Sequence, residues 1–262
     1  MLAAPRDDRR KPFVALMVAL IALAWLTLWA WGQSPYGRFL GHHSLDEVRG
    51  NASLAFVFVV GWTVMVVAMM LPTSLPLITL FRTLVRRRHD RARLVALLIV
   101  GYLTVWSLFG VLVYFGDWVL HRAVEGSAWL EANAPIIGAG AVFLAGLYQF
   151  TPLKYHCLEK CRSPLSFIAE HWRGRNEAVQ AFGLGAHHGL FCVGCCWSLM
   201  LLMFAVGLGS LGWMLVLGTV MAIEKNVAWG RKISAPLGVV LLGWGLTLLT
   251  SAVSTSLHLH LH

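Results

Sequence analysis

The sequence predicts an all-α, polytopic bundle of about seven transmembrane helices. Hydrophobic residues make up 58% of the 262, charged residues only 13%, and the mean hydropathy is +0.70. Soluble domains have roughly 45–50% apolar and 25% charged residues. The apolar residues also form runs close to the roughly 20 residues that cross a bilayer. We therefore treat residues 1–262 as one transmembrane domain in the lipid bilayer, with 12 residues before the first helix.

The predicted helices follow one another with short connections. The first run is longer than a signal-peptide core and lacks a small-residue cleavage site before Gln33, so we expect a retained helix. The second should bend because Pro72 and Pro76 lack a helical N–H donor. The third and fifth are long enough to tilt. The runs cover residues 13–31, 54–81, 94–120, 134–150, 178–206, 210–228 and 236–254.

The basic residues predict the orientation of the chain. Of the 21 Lys and Arg, 18 fall in the N-terminal segment and in alternate connections, and only Arg38, Arg49 and Arg122 fall in the others. Cytoplasmic segments carry the excess of basic residues, so we expect a cytoplasmic-membrane protein with its N-terminus inside and its C-terminus outside. The basic residues form short clusters without a continuous face, which argues against a nucleic-acid partner.

A group of soft side chains lies in the fifth run, around the segment FCVGCCWSLM at residues 191–200. At 100° per residue they share one helix face about 140° wide. Ordinary packing is the alternative reading, but a thiolate in hydrocarbon is costly unless a cation neutralises it. Sulfur ligands select Cu(I), our preferred ion, with zinc or iron as alternatives. The predicted ligands are His188, Cys192, Cys195, Cys196, Met200 and Met203.

A second thiol pair follows the fourth run. Cys157 and Cys161 share a face with Lys154 on a helix expected to start at Pro152. Cys192 should lie near mid-membrane, roughly 20 Å along its helix, whereas this pair should lie near the cytoplasmic end. We therefore expect two separate metal stations. If this segment folds back against the fifth run, the two groups merge into one.

Two further methionines and three charged residues complete the inner set. Met65 and Met69 lie one helical turn apart in the second run and could add thioether ligands, although core packing is the more common reason for such a pair. Glu224 and Lys225 lie at the end of the sixth run, where a charge is costly. Glu224 is a candidate acceptor for a proton that a thiol releases on metal binding. Lys225 and Lys154 are further possible proton or charge partners, with snorkelling of Lys154 to the surface as the alternative.

Histidines near the predicted outer surface form a separate candidate site. His42, His43 and His121 could supply harder ligands, although solvated loop residues are the alternative. The sequence ends in HLHLH, and residues 255–262 are expected to be disordered rather than metal-binding.

Four blocks of the sequence carry a family resemblance. They are Trp62 with AMMLPTSLP, QFTPLKYHCLEKCRSP, HGLFCVGCCWSLM, and Trp213-Met214 leading to Glu224-Lys225. Together they span residues 62–225, which we take as the family core. The chain thus resembles a prokaryotic family of predicted metal-binding integral membrane proteins, a domain of unknown function. The resemblance implies a multi-pass fold and metal binding, and it implies no particular reaction.

Three classes of function fit these observations. The first is Cu(I) handling, by transport, delivery or insertion, with a metal chaperone, a larger membrane complex or a second copy of the chain as partner. The second is a metal- or thiol-dependent oxidoreductase that uses the CxxC spacing of Cys192 and Cys195. The third is an assembly or structural subunit. The sequence has no phosphate-binding GxxxxGK[ST] motif, which argues against an ATP-driven pump.

Overall fold

The computed structural model describes residues 10–33, 52–174, 176–206 and 211–260, and these residues are almost entirely helical, with no β-strand. The all-α prediction is therefore confirmed. The helices are α1 Arg10–Gln33, α2 Ala52–Met69, α3 Leu71–Leu84, α4 Arg91–Glu125, α5 Ala128–Ala132, α6 Ala134–Tyr148, α7 Pro152–Arg162, α8 Pro164–His171, α9 Glu177–Val206, α10 Leu211–Asn226 and α11 Ser234–His260. A 3-10 helix, Gly230–Ile233, precedes α11.

Several of these helices are long and apolar enough to cross a membrane. Four qualify singly, in α1, α4, α9 and α11, and two bent pairs, α2 with α3 and α6 with α7, raise the number to six among the described residues. The sixth predicted run forms α10, which has 16 residues and is about 24 Å long at the usual helical rise. That is shorter than about 30 Å of hydrocarbon, so a count of seven stays a prediction.

The predicted bend in the second run is confirmed. The axes of α2 and α3 meet at 66°, with Met70 at the break. Pro72 cannot donate to the carbonyl of Ala68 four residues earlier, and that oxygen instead accepts a hydrogen bond from Trp25 Nε1 at 3.1 Å. The Thr73 hydroxyl donates to the Met70 carbonyl at 2.7 Å. Side chains thus satisfy the backbone at the break and hold Met70 in place.

A second bend brings α7 back towards the interior. Helices α6 and α7 meet at 62°, and the Thr151 hydroxyl caps α7 by accepting from the Lys154 backbone N–H at 3.3 Å. Pro152 fits the first turn of α7, where a backbone N–H has no helical partner. Because of this turn, α7 packs along α9.

Helices α4 and α9 form the most extensive contact in the fold, through a seam of glycines. A Cβ atom added at Gly101 or Gly185 would collide with the backbone of the opposite helix, and one at Gly189 would lie 3.1 Å from the Tyr102 carbonyl. Small residues allow helix backbones to approach this closely. The seam brings Tyr102 of α4 against Cys192 of α9.

Candidate metal centre

The soft side chains of α9 face the protein interior. Each of the six predicted ligands is buried, and the most exposed, His188, has only 4% of its surface accessible. This burial agrees with the face predicted from the helical spacing. All five cysteines of the chain are free thiols, and the three on α9 lie in one apolar cluster with Met200 and Met203. Their role as metal ligands stays a prediction.

Three sulfur atoms surround one buried amine. Lys225 Nζ lies 2.9 Å from Cys192 Sγ, 3.7 Å from Cys196 Sγ and 3.6 Å from Met70 Sδ. Cys196 Sγ is in turn 3.7 Å from Met70 Sδ, and the Tyr102 hydroxyl lies 3.0 Å from Cys192 Sγ. We call Met70, Cys192 and Cys196 the three-sulfur group. It combines two thiols of α9 with a thioether from the α2–α3 break.

The cysteines of α7 lie next to those of α9. Cys161 Sγ is 3.9 Å from Cys195 Sγ, and Cys157 packs so closely on Gly194 that an added Cβ there would be 2.6 Å from Cys157 Sγ. The expectation of two separate stations is therefore wrong, because the bend before α7 turns it onto α9. Cys195 thus has a thiol neighbour on α7 in addition to Cys192, with which the oxidoreductase reading paired it.

The thiols of α7 and α9 adjoin one another. Cys161 and Cys195 lie beside the three-sulfur group, and both interact with the Cys192 thiol. Among the described residues no group of three or more His, Cys, Asp or Glu side chains is arranged to hold a metal ion. The third soft donor near Cys192 and Cys196 is instead a methionine thioether, which suits Cu(I) better than harder ions.

His188 lies one turn before Cys192. Its Nε2 is 3.1 Å from the Ser74 hydroxyl, and its ring stacks on Tyr102 with centroids 5.6 Å apart. Its Nδ1 is buried and has no hydrogen-bond partner among the described residues. Buried polar atoms are normally paired, so this nitrogen has unused bonding capacity close to the three-sulfur group.

A buried ion pair lies beside the thiols. Lys154 Nζ is 2.8 and 3.1 Å from the two Glu224 carboxylate oxygens, and it also donates to Gln149. Ser234 donates to the same carboxylate at 2.6 Å. The alternative in which Lys154 snorkels to the surface is wrong, since its side chain is fully buried. These contacts place Glu224 beside Lys154, and they place Lys225 beside the thiols.

Arg162 fixes the end of α10. Its guanidinium donates to the carbonyls of Glu224, Val227 at 2.8 Å and Ala228 at 2.9 Å. These carbonyls lie at the carboxyl end of the helix, where a cation is favourable. Arg162 directly follows Cys161 on α7. Helix α7 therefore carries two thiols and also binds the end of α10, where Lys225 lies.

The other predicted residues lie apart from these contacts or outside the described residues. Met65 and Met69 are buried in the same apolar cluster as the cysteines, and the Met69 methyl group packs against Gly218 of α10. His121 Nδ1 is 3.1 Å from the Asp117 carboxylate. His42 and His43 lie outside the described residues, as do the side chains at 255–262, so the outer site and the disordered tail stay predictions.

Sequence reasoning missed Met70, Tyr102 and Ser74. Met70 stands next to Met69 in AMMLP, and its position directly before Leu71-Pro72 marks the helix break that carries it to Cys196. That signal was available, because a methionine at a proline break need not follow the spacing of either helix. Tyr102 and Ser74 had no signal of their own, since each reaches the site through long-range packing.

An all-helical protein with several apolar spans and buried soft donors fits a class of metal-handling proteins. The family model that matches the chain, PpoB2, is described as a copper chaperone and covers residues 59–248. This match spans well over half of the 262 residues, so the chain belongs to this copper chaperone family. No curated protein and no solved structure matches the chain.

Proposed function

We propose that the protein is an integral membrane copper chaperone of the cytoplasmic membrane that carries Cu(I) as its cargo. Its ligands are the thiols of Cys192 and Cys196 and the thioether of Met70. Each thiol that becomes a ligand releases its proton to solvent. Delivery to a recipient protein is the role we assign, since the chain has no motif for coupling to ATP hydrolysis.

The observation that carries this proposal is the three-sulfur group. The Cys196 and Met70 sulfurs are 3.7 Å apart, and Cys192 lies on the same buried side of α9. Thiolate and thioether ligands favour Cu(I) over hard cations. Membership in the copper chaperone family supports the same ion.

Neighbouring groups complete the centre. The Tyr102 hydroxyl can donate a hydrogen bond to the Cys192 sulfur, which orients a thiolate ligand. His188, with its unpaired Nδ1 near Tyr102, is a further donor within the same region. Cys161 and Cys195, which adjoin Cys192, are a second pair of soft donors to which a bound ion can be passed during delivery.

Metal analysis of the purified full chain tests the proposal. The protein is loaded with Cu(I) under reducing, anaerobic conditions, and the bound copper per chain is measured together with the affinity against a Cu(I)-selective chelator. We expect one tightly bound ion, its loss in the double variant Cys192→Ser/Cys196→Ser, and a weaker affinity in Met70→Leu.

Met214→Leu is the matched control for Met70→Leu. Met214 is equally buried and lies in the same apolar cluster, but it is not one of the proposed ligands. Its substitution should leave copper binding unchanged. Equal copper binding by the parent chain and the double cysteine variant would rule out the proposed site.

A further inference from the structure

Lys225 occupies an unusual place for a lysine. Only 6% of its surface is exposed. Three of the four hydrogen-bond partners of its amine are sulfur atoms, at 2.9 to 3.7 Å. The fourth is the Thr73 hydroxyl at 3.5 Å. A buried ammonium normally requires a carboxylate or several oxygen acceptors to replace its hydration.

The carboxylate of the neighbouring residue Glu224 does not bind the Lys225 amine. Glu224 directly precedes Lys225 in the chain, yet its two oxygens receive Lys154 and Ser234. The fold thus pairs Lys154 with the Glu224 carboxylate, whereas Lys225 lies among sulfur donors. A neutral thiol or thioether is a weak hydrogen-bond acceptor, so the Lys225 amine has weaker neutral partners than the carboxylate gives to Lys154.

The buried position of the Lys225 amine is explained if the amine occupies the site where Cu(I) binds. The donors around Nζ are the proposed ligands Cys192, Cys196 and Met70. A cuprous ion bonded to all three would lie close to the point that Nζ occupies, so the amine and the ion cannot be present together.

From this geometry we infer that the Lys225 side chain is a placeholder for Cu(I), which it yields by swinging out of the three-sulfur group as the ion enters. This inference rests on the proposed function and adds a movement of the Lys225 side chain to it. In the metal-free protein the amine keeps the two thiols and the thioether in position around a cation-sized space. On release of the ion, the amine returns.

The surroundings allow the side chain to move while the helix stays still. Lys225 lies in the last turn of α10, and Arg162 holds the carbonyls of Glu224, Val227 and Ala228 around it. A lysine has a flexible four-carbon stem that can carry its amine towards water. Lys225 keeps 6% of its surface exposed, whereas Lys154 is fully buried.

Amine labelling of the full chain in lipid nanodiscs tests this inference without any substitution. A small amine-selective acylating reagent is applied to the metal-free and the Cu(I)-loaded protein, and the modified fraction of Lys225 is measured by mass spectrometry. We expect several-fold faster modification of Lys225 after loading. Lys154, which is buried and paired with Glu224, is the internal control and should stay unmodified in both states.

Copper content measured on the same samples separates the two proposals. Bound Cu(I) with unchanged or slower Lys225 labelling would overturn the placeholder and leave the copper site standing. No bound copper would overturn both. The Cys192→Ser/Cys196→Ser variant treated with Cu(I) should label like the metal-free protein, and faster labelling there would show that copper acts on Lys225 from elsewhere, against the inference.

Discussion

At the scale of single residues, the two neighbouring residues Glu224 and Lys225 have opposite surroundings. Glu224 completes a fully hydrogen-bonded network with Lys154 and Ser234, whereas Lys225 is among sulfurs. A buried ion pair costs desolvation, and removing one partner leaves the other charge uncompensated. The complete network therefore fixes the amino-terminal end of α7 to the carboxyl end of α10.

The substitution Lys154→Met tests this network. It leaves the Glu224 carboxylate buried without its cation, and we expect the free energy of unfolding to fall by about 3 kcal/mol or more. The measurement is the midpoint of unfolding in mixed detergent micelles. Replacing both partners, in Lys154→Met/Glu224→Met, should recover much of the loss, because no unpaired charge remains.

Lys160→Met on the same helix is the matched control. Lys160 donates to Glu170 at 2.8 Å on the surface, and this hydrogen bond lowers the pKa of the Glu170 carboxyl below its usual value. Exposed pairs contribute little because water screens them, so this variant should unfold almost like the parent. If Lys154→Met were as stable as Lys160→Met, the buried pair would not hold the two helices.

At the scale of the helices, the site depends on how closely α7 approaches α9. The two meet where Cys157 lies over Gly194, and the Tyr148 hydroxyl donates to the Gly194 carbonyl from the end of α6. The absence of a side chain at Gly194 lets α7 sit close enough for Cys161 to reach Cys195. A glycine in a helix interior lowers helix stability. Gly194 offsets this cost by allowing the close contact between α7 and α9.

Gly194→Ala should separate the two helices. The new methyl carbon would lie 2.6 Å from Cys157 Sγ and 3.3 Å from its Cβ, so the Cys157 side chain must rotate or α7 must shift, at a cost of about 1–3 kcal/mol. We expect slower disulfide formation between Cys161 and Cys195 under a mild oxidant, because their sulfurs must close from 3.9 Å to about 2 Å. Mass spectrometry of the oxidised protein measures this rate.

Gly183→Ala is the control for this effect. Gly183 lies on the same helix with nothing within 4 Å of an added Cβ, so this variant should cross-link at the parent rate. Adding Cys157→Ala to Gly194→Ala removes the clashing sulfur and should restore part of the rate. Unchanged cross-linking in Gly194→Ala would mean that α7 is not held against α9 as described.

At the scale of the whole molecule, the open question for topology is α10. Six crossings place both termini on one side of the membrane, whereas seven place them on opposite sides. Helix α10 is short for a crossing, but a locally thinned bilayer accommodates a short helix at modest cost. The distribution of 18 basic residues against three favours seven crossings, with the N-terminus inside.

Reporter fusions at each end check this topology. We expect a fluorescent reporter, which is active only in the cytoplasm, to work at the N-terminus, and alkaline phosphatase, which is active only outside, to work at the C-terminus. The reciprocal fusions should be inactive and serve as controls. A cytoplasmic C-terminus would show that α10 does not cross and would limit the chain to an even number of spans.

The sequence predicts those features of the fold that arise within a single helix. The spacing of Cys192, Cys195 and Cys196 defines one helix face, and Pro72 marks a bend, because both follow from the geometry of a single helix. The meeting of Cys161 with Cys195 depends on how two helices dock. No spacing within α7 specifies that contact, and the same holds for the choice of Lys154, over Lys225, as the partner of Glu224.

The glycine seam between α4 and α9 also limits how cargo can travel. Along Gly101 and Gly185 the two backbones are so close that even a methyl group finds no space. A metal ion with its ligands is larger than a methyl group, so no passage exists on that side of Cys192. If the chain carries Cu(I) as we propose, the ion therefore arrives and departs along the opposite flank, past α7 and the carboxyl end of α10.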